Sequence, residues 1–184
     1  IDGRPIEAQT GETLLELTRR LGFMTGKLST DPLVAKIAGD IFTLNYIPVR
    51  ESEATPERET KRKAMEASGG VVTLLRYRDA AGVEAYTRTA QFIIFLAIEE
   101  LWPEAEAKMS CTVGSGLYIK VSGAPTFSHT ALKERIAGIV KENFTIHRRR
   151  IKTSEAIAFY NDRGREDKAR LLSYRQTPTF DIYE

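Results

Sequence analysis

The densest run of chemically active side chains in the sequence is His147-Arg148-Arg149-Arg150, followed by Lys152. Guanidinium and ammonium groups packed this closely suit contacts to phosphate oxygens. A strand through them puts cations on both of its faces. The same pattern also fits a solvated edge strand whose charges discourage pairing with another chain. Elsewhere the chemistry is sparse. The only histidines, His129 and His147, each lack a second ligand three or four residues on, so neither is placed to share a metal. Cys111, the single cysteine, alternates with apolar neighbours and has no base beside it; it reads as a buried, inert thiol. One cysteine also excludes an intrachain disulfide and a cysteine-rich zinc site, and is natural for a reducing, cytoplasmic compartment. Gly114-Ser115-Gly116 runs into Leu117-Tyr118-Ile119-Lys120, so it opens a strand and reads as a hairpin turn. The sequence contains no GxxxxGK(S/T) loop, which argues against nucleotide phosphoryl transfer by this chain.

Composition sets the background for these residues. The 184 residues are 42% hydrophobic and 28% charged, an ordinary globular mix. Net charge is +2, from 27 basic and 25 acidic side chains, so the chain as a whole exerts no strong pull on nucleic acid or an anionic membrane. Any such binding must come from a local patch. The longest apolar run, Phe92 to Ile98, is far shorter than the ~20 residues that span a bilayer. No signal peptide opens the chain.

The elements that must position these side chains can be read in order. Asp2-Gly3 is a turn dipeptide, and Ile6 and Ala8 suggest a strand after it. Thr13 and Glu16 form a capping-box pattern at the head of a helix bearing Leu14, Leu17 and Leu21, and Gly22 stops it. Leu33 to Ala38 and Ile41 to Leu44 are strand-like runs around a Gly39-Asp40 turn, and Val71 to Tyr77 is a further strand. Strand, helix, then further strands is the order of a β-grasp unit. Residues 51–69 break this pattern as a charged, helical, mobile insertion in which Glu57/Lys61 and Glu59/Lys63 pair at i,i+4. Thr87 to Trp102 carries a broad apolar stripe through Ile93, Ile94, Ala97, Ile98 and Leu101; it predicts a central buried helix ended by Pro103. Lys108 to Val113 and Leu117 to Val121 form a hairpin, and a helix follows Ser128. Ile146 to Ile151 is a strand and Ser154 to Asn161 a helix. Lys168 to Tyr174 is a short helix and Phe180 to Tyr183 a last strand. The interleaving of sheet and helix predicts an α+β fold.

Two stretches carry a family resemblance. Ile1-Asp2-Gly3, the Thr13 helix and Leu33-Val34-Ala35-Lys36-Ile37-Ala38-Gly39 resemble the TGS domain, a ubiquitin-like β-grasp module of threonyl-tRNA synthetases, certain GTPases and stringent-response enzymes. Tyr86-Thr87-Arg88-Thr89-Ala90-Gln91-Phe92, Ala97 to Pro103, Gly116 to Ile119, Ser154 to Ile157 and Gly164 to Lys168 with Leu171-Leu172 resemble the editing-type second additional domain of threonyl-tRNA synthetase. The resemblance implies residues 1–78 as a TGS-like domain with the 51–69 insertion, and 79–184 as a two-layer editing-like domain cut short at its C-terminal end. In the synthetase a HxxxH pair helps form the metal and editing site. By register from Pro103 those positions fall on Arg88 and Phe92, neither of which can ligate a metal.

The same two-domain arrangement, with the histidines replaced by arginine and an apolar residue, resembles the N-terminal half of bacterial uridine-kinase-like nucleoside kinases. That resemblance implies a non-catalytic regulatory or RNA- or ligand-binding region without a cofactor of its own. Its partners would be tRNA, another RNA or a small nucleotide, and a downstream P-loop kinase domain of the same polypeptide would use ATP and magnesium. The alternative is a threonyl-tRNA-synthetase-related fragment with a degenerate editing domain. A third expectation is a structural spacer that dimerises its parent. The Asp2-Gly3 turn should be preceded by a full strand, of which only Ile1 remains, and the chain stops within the strand at Phe180 to Tyr183; residues are therefore expected upstream of Ile1 and further polypeptide after Glu184. The expected nucleic-acid contacts are His147, Arg148, Arg149, Arg150 and Lys152.

Overall fold

A computed structural model describes residues 1–48, 59–60, 63, 66, 69–114 and 116–183. Most of the expected 51–69 insertion, including the Glu57/Lys61 pair, lies outside the described residues. Glu59 and Lys63 do pair, at 2.9 Å. The described chain is α+β, with five helices and three small antiparallel sheets. It divides into two compact units, 1–132 and 133–184.

The first unit begins with the Asp2-Gly3 turn, both residues at positive φ, closed by Arg4 N–H donating to the Ile1 carbonyl at 2.9 Å. Asp2 then ties this end to a strand distant in sequence: its N–H donates to the Val72 carbonyl at 3.0 Å and its carboxylate accepts from Leu74 N–H at 2.9 Å. Ile6 and Ala8, expected on a strand, make no ladder but pack against the core as partly buried side chains. Helix α1 (Leu14–Arg20) starts at the capping box: Thr13 Oγ1 accepts from Glu16 N–H at 3.1 Å, and the Glu16 carboxylate accepts from Thr13 N–H at 2.8 Å. Such a cap satisfies donors a helix start leaves orphaned and is worth ~1 kcal/mol.

Strands β1 (Pro32–Ile37), β2 (Asp40–Thr43) and β3 (Val72–Arg76) form an antiparallel sheet in the order β2-β1-β3. Register pairs Ala35 with Leu74 and Ile37 with Val72, so these four share one face. They bury against Leu14, Leu17 and Leu44 in the core of a β-grasp module. Each fully buried aliphatic side chain there contributes ~1.5–3 kcal/mol. Ile37 pairs with Asp40, so the β1–β2 turn is Ala38-Gly39, one residue earlier than the expected Gly39-Asp40. Ala38 has φ +51° and Gly39 φ +95°, as a two-residue primed turn requires.

Helix α2 spans Ala80–Leu101 and approaches β1 and β3. It starts seven residues before the expected Thr87. A β-carbon on Gly82 would stand 2.0 Å from the Arg76 carbonyl oxygen, so the first turn of α2 lies directly on the end of β3. Gly82 in the first turn and Ala97 and Ile98 near the end are buried, whereas Ile93, Ile94 and Leu101 are only half-buried; the expected central buried helix is buried at three positions and not along its whole apolar stripe. Strands β4 (Glu106–Val113) and β5 (Gly116–Ser122) make the expected hairpin. Cys111 is exposed rather than buried. It lies on the hairpin face of Lys108, Tyr118 and Lys120, opposite the face of Met109, Leu117 and Ile119.

Helix α3 (His129–Glu142) runs across the 132/133 division. In the second unit, strands β6 (Arg148–Lys152) and β7 (Thr179–Tyr183) pair as a two-stranded ribbon. Helices α4 (Thr153–Asp162) and α5 (Glu166–Ser173) lie between them in sequence and pack on each other. Helix α4 lies against both strands, and Ala156, Ala169, Leu172 and Ile182 are buried here.

Candidate nucleic-acid interface

The basic run forms the first strand of the β6–β7 ribbon, and pairing sorts its cations by face. Arg148 stands opposite Tyr183, Arg150 opposite Asp181 and Lys152 opposite Thr179. These six residues share one face. Arg149 and Ile151 belong to the other, with Phe180 and Ile182. Helix α4 covers that second face, bringing the Tyr160 and Phe180 rings to 6.5 Å between centroids. The expected distribution of cations on both faces is therefore uneven: Arg148, Arg150 and Lys152 lie away from α4, and Arg149 is on its side, at the ribbon's end. His147 precedes the strand and is exposed.

One carboxylate organises the open face. Asp181 Oδ1 accepts from Arg150 Nε at 2.9 Å and Oδ2 from Nη2 at 3.4 Å, a two-point fork. Arg148 Nε stands 3.8 Å from the same carboxylate. The hydrogen bond from Arg150, followed by the charge of Arg148, holds the Asp181 carboxyl below the ordinary carboxylate range against the opposing effect of burial. The acid is thus ionised at neutral pH, and the face carries three cations around one fixed anion. Sequence reasoning missed Asp181, because nothing local says which residue of a strand thirty positions away will lie opposite Arg150.

Behind the ribbon, cations cap an aromatic cluster. Arg163 lies 3.7 Å over the Phe159 ring, Lys168 5.3 Å over Tyr160 and Arg175 5.5 Å over Phe180. Stacking of this kind contributes ~0.5–1 kcal/mol per exposed pair and holds Arg163 and Lys168 against rings of α4 and Arg175 against a ring of β7. A groove of about 500 Å³ runs along the α4–α5 joint, where Asn161, Glu166, Asp167 and Arg170 contribute to its lining.

The positions corresponding by resemblance to the histidine pair lie on α2. Arg88 is exposed and pairs with Glu84 one turn before it; Phe92 is half-buried. The remaining candidate ligands are scattered. His129 begins α3 with its ring edge-on to Phe127 at 5.0 Å, and Ser128 Oγ accepts from Ala131 N–H at 3.3 Å. Among the described residues no group of three or more His, Cys, Asp or Glu side chains is placed to hold a metal ion. No helix among them is long and apolar enough to cross a membrane.

An α+β chain built from a β-grasp module and a second small α/β region defines the class. Comparison with known proteins narrows it. No family model matches the chain. The threonine–tRNA ligase of Syntrophomonas wolfei is 24% identical over 174 residues, covering 93% of this chain and 24% of that enzyme. Those of Clostridium kluyveri (26% over 175 residues) and Acetivibrio thermocellus (25% over 174) cover the same shares. The chain thus spans about a quarter of the length of the curated relatives it matches. The similarity is to threonine–tRNA ligases. It favours the synthetase-related alternative, and nothing in it supports the nucleoside-kinase parent or its ATP and magnesium.

Proposed function

We propose that this chain is a non-catalytic, RNA-contacting accessory region of a threonine–tRNA-ligase-related protein, with a degenerate editing-type domain. Residues 1–78 are its TGS-like module and 79–184 its editing-like module. The observation that carries the reading is similarity to a threonine–tRNA ligase over 93% of the chain; the register from Pro103, which by resemblance puts Arg88 and Phe92 where the family has its histidine pair, supports the loss of editing. An arginine that keeps its proton and a hydrocarbon ring cannot polarise water through a metal, so hydrolysis of an aminoacyl ester loses its activating group. The cationic ribbon remains, and its chemistry suits tRNA phosphates. His147, Arg148, Arg149, Arg150 and Lys152 are the proposed contacts, and no cofactor is assigned to the chain.

Two measurements test this. Seryl-tRNA incubated with the chain is expected to deacylate at the buffer rate, and turnover that disappears on substituting Glu84 or Arg88 of α2 would overturn the non-catalytic reading. Binding of a tRNA transcript is expected to weaken steeply with salt. Replacing Arg148, Arg149 and Arg150 together by alanine should flatten the slope by up to about 2–3 in log K against log salt, roughly one per lost phosphate contact. An unchanged slope would leave the ribbon a solvated edge and nothing more.

A further inference from the structure

We propose that the face of the β6–β7 ribbon opposite α4 takes the backbone of a single RNA strand along its length, and that Asp181 stands in the place of the central phosphate as a built-in competitor. The inference rests on the reading that this chain contacts RNA, and it assigns which face does so and what restrains it.

The cations of this face occur at alternate positions, Arg148, Arg150 and Lys152. Two strand rises of ~3.3 Å separate each from the next, a spacing that suits successive phosphates along one nucleic-acid strand. The side chains of Arg148 and Arg150 are 56% and 51% exposed. Tyr183, in register with Arg148 and 54% exposed, supplies a ring at one end of the row on which a base can stack. Charge complementarity therefore selects a polyanion, and the aromatic end selects one whose bases are unpaired.

The middle of the row is already occupied. The Arg150 fork that would grip a phosphate grips Asp181 through Nε and Nη2, and Arg148 leans on the same carboxylate. A carboxylate and a phosphate ask for the same planar pair of N–H donors. A bound strand must therefore either displace Asp181 from Arg150 or pass over a fixed negative charge. In either case Asp181 lowers affinity for every RNA, while holding the guanidinium extended and ready.

The test uses the whole chain, a fluorescently labelled single-stranded oligouridine and anisotropy over salt from about 50 to about 300 mM. Asp181→Asn keeps size and one acceptor oxygen but removes the charge. It is expected to tighten binding about three- to tenfold at the low-salt end and to steepen the salt slope by about 0.7, the release expected from one further single-strand phosphate. Asp181→Glu restores the charge and is expected to bind like the parent chain. Arg148→Ala with Lys152→Ala tests the underlying reading and is expected to weaken binding. If the parent chain binds, the double variant binds less and Asp181→Asn is equal or weaker, the competitor role is overturned while RNA contact stands. If the parent chain is silent but Asp181→Asn binds, the competitor role is supported as a mask. If no variant binds, both are overturned.

Discussion

Among single residues, Glu12 and Arg20 give the clearest titration. Arg20 Nε and Nη2 donate to the two Glu12 carboxylate oxygens at 2.7 and 2.8 Å, joining the start of α1 to its end. That bond, with a second from Gln9 N–H, lowers the Glu12 pKa from an ordinary 4.5 to about 2. A carboxyl whose folded pKa is depressed adds stability above its unfolded pKa and loses it as pH falls toward the folded value. The stability gap between the parent chain and Arg20→Gln is therefore expected to be full above pH 4.5 and to close as pH approaches 2. Urea unfolding at a series of pH values reads this directly, and a gap independent of pH would show that the pair is not linked to folding. Cys111 marks what a single residue conceals: a register shift between Met109 and Cys111 breaks the alternation of β4, so only pairing with Tyr118 reveals its face, and the sequence does not say whether anything covers that face.

At the level of elements, much of the architecture was legible where the signal is local. The Thr13/Glu16 box fixes the start of α1, the Asp2-Gly3 turn falls where its residues put it, and the β4–β5 hairpin closes at the Val113–Gly116 pair, beside the expected glycines. The start of α2 was missed although Asp79, a residue type favoured at a helix start, stands at its N-cap, because Ala80-Ala81-Gly82-Val83 has little apolar periodicity. Contact with β3 sets it instead. Gly82→Ala is accordingly expected to destabilise the first unit by about 3 kcal/mol, since the new methyl meets backbone that cannot swing aside. Wild-type stability in a denaturant titration would show that α2 does not seat there. Ala38 escaped notice for a related reason: alanine does not announce a left-handed turn. Ala38→Asn is expected to raise stability by ~1 kcal/mol, because asparagine tolerates φ near +51° better. A lowered melting temperature would contradict the turn geometry.

For the molecule as a whole, the candidate site was legible as a run of cations but not as a surface. Which face they occupy, and the acid among them, depends on pairing between residues about thirty apart. The proposed loss of metal chemistry makes its own prediction: elemental analysis of untagged protein is expected to find zinc far below one equivalent, and a stoichiometric amount would reopen hydrolysis. The division into two units has an electrical consequence. Residues 133–184 hold 12 basic and 8 acidic side chains, a net +4, while residues 1–132 hold 15 and 17, a net −2. The overall +2 is an average that describes neither part. A chromatographic resin that senses only the sum meets a mildly basic protein with an isoelectric point near 8.7. A polyanion within a Debye length responds to local charge, which is positive over residues 133–184 and negative over residues 1–132.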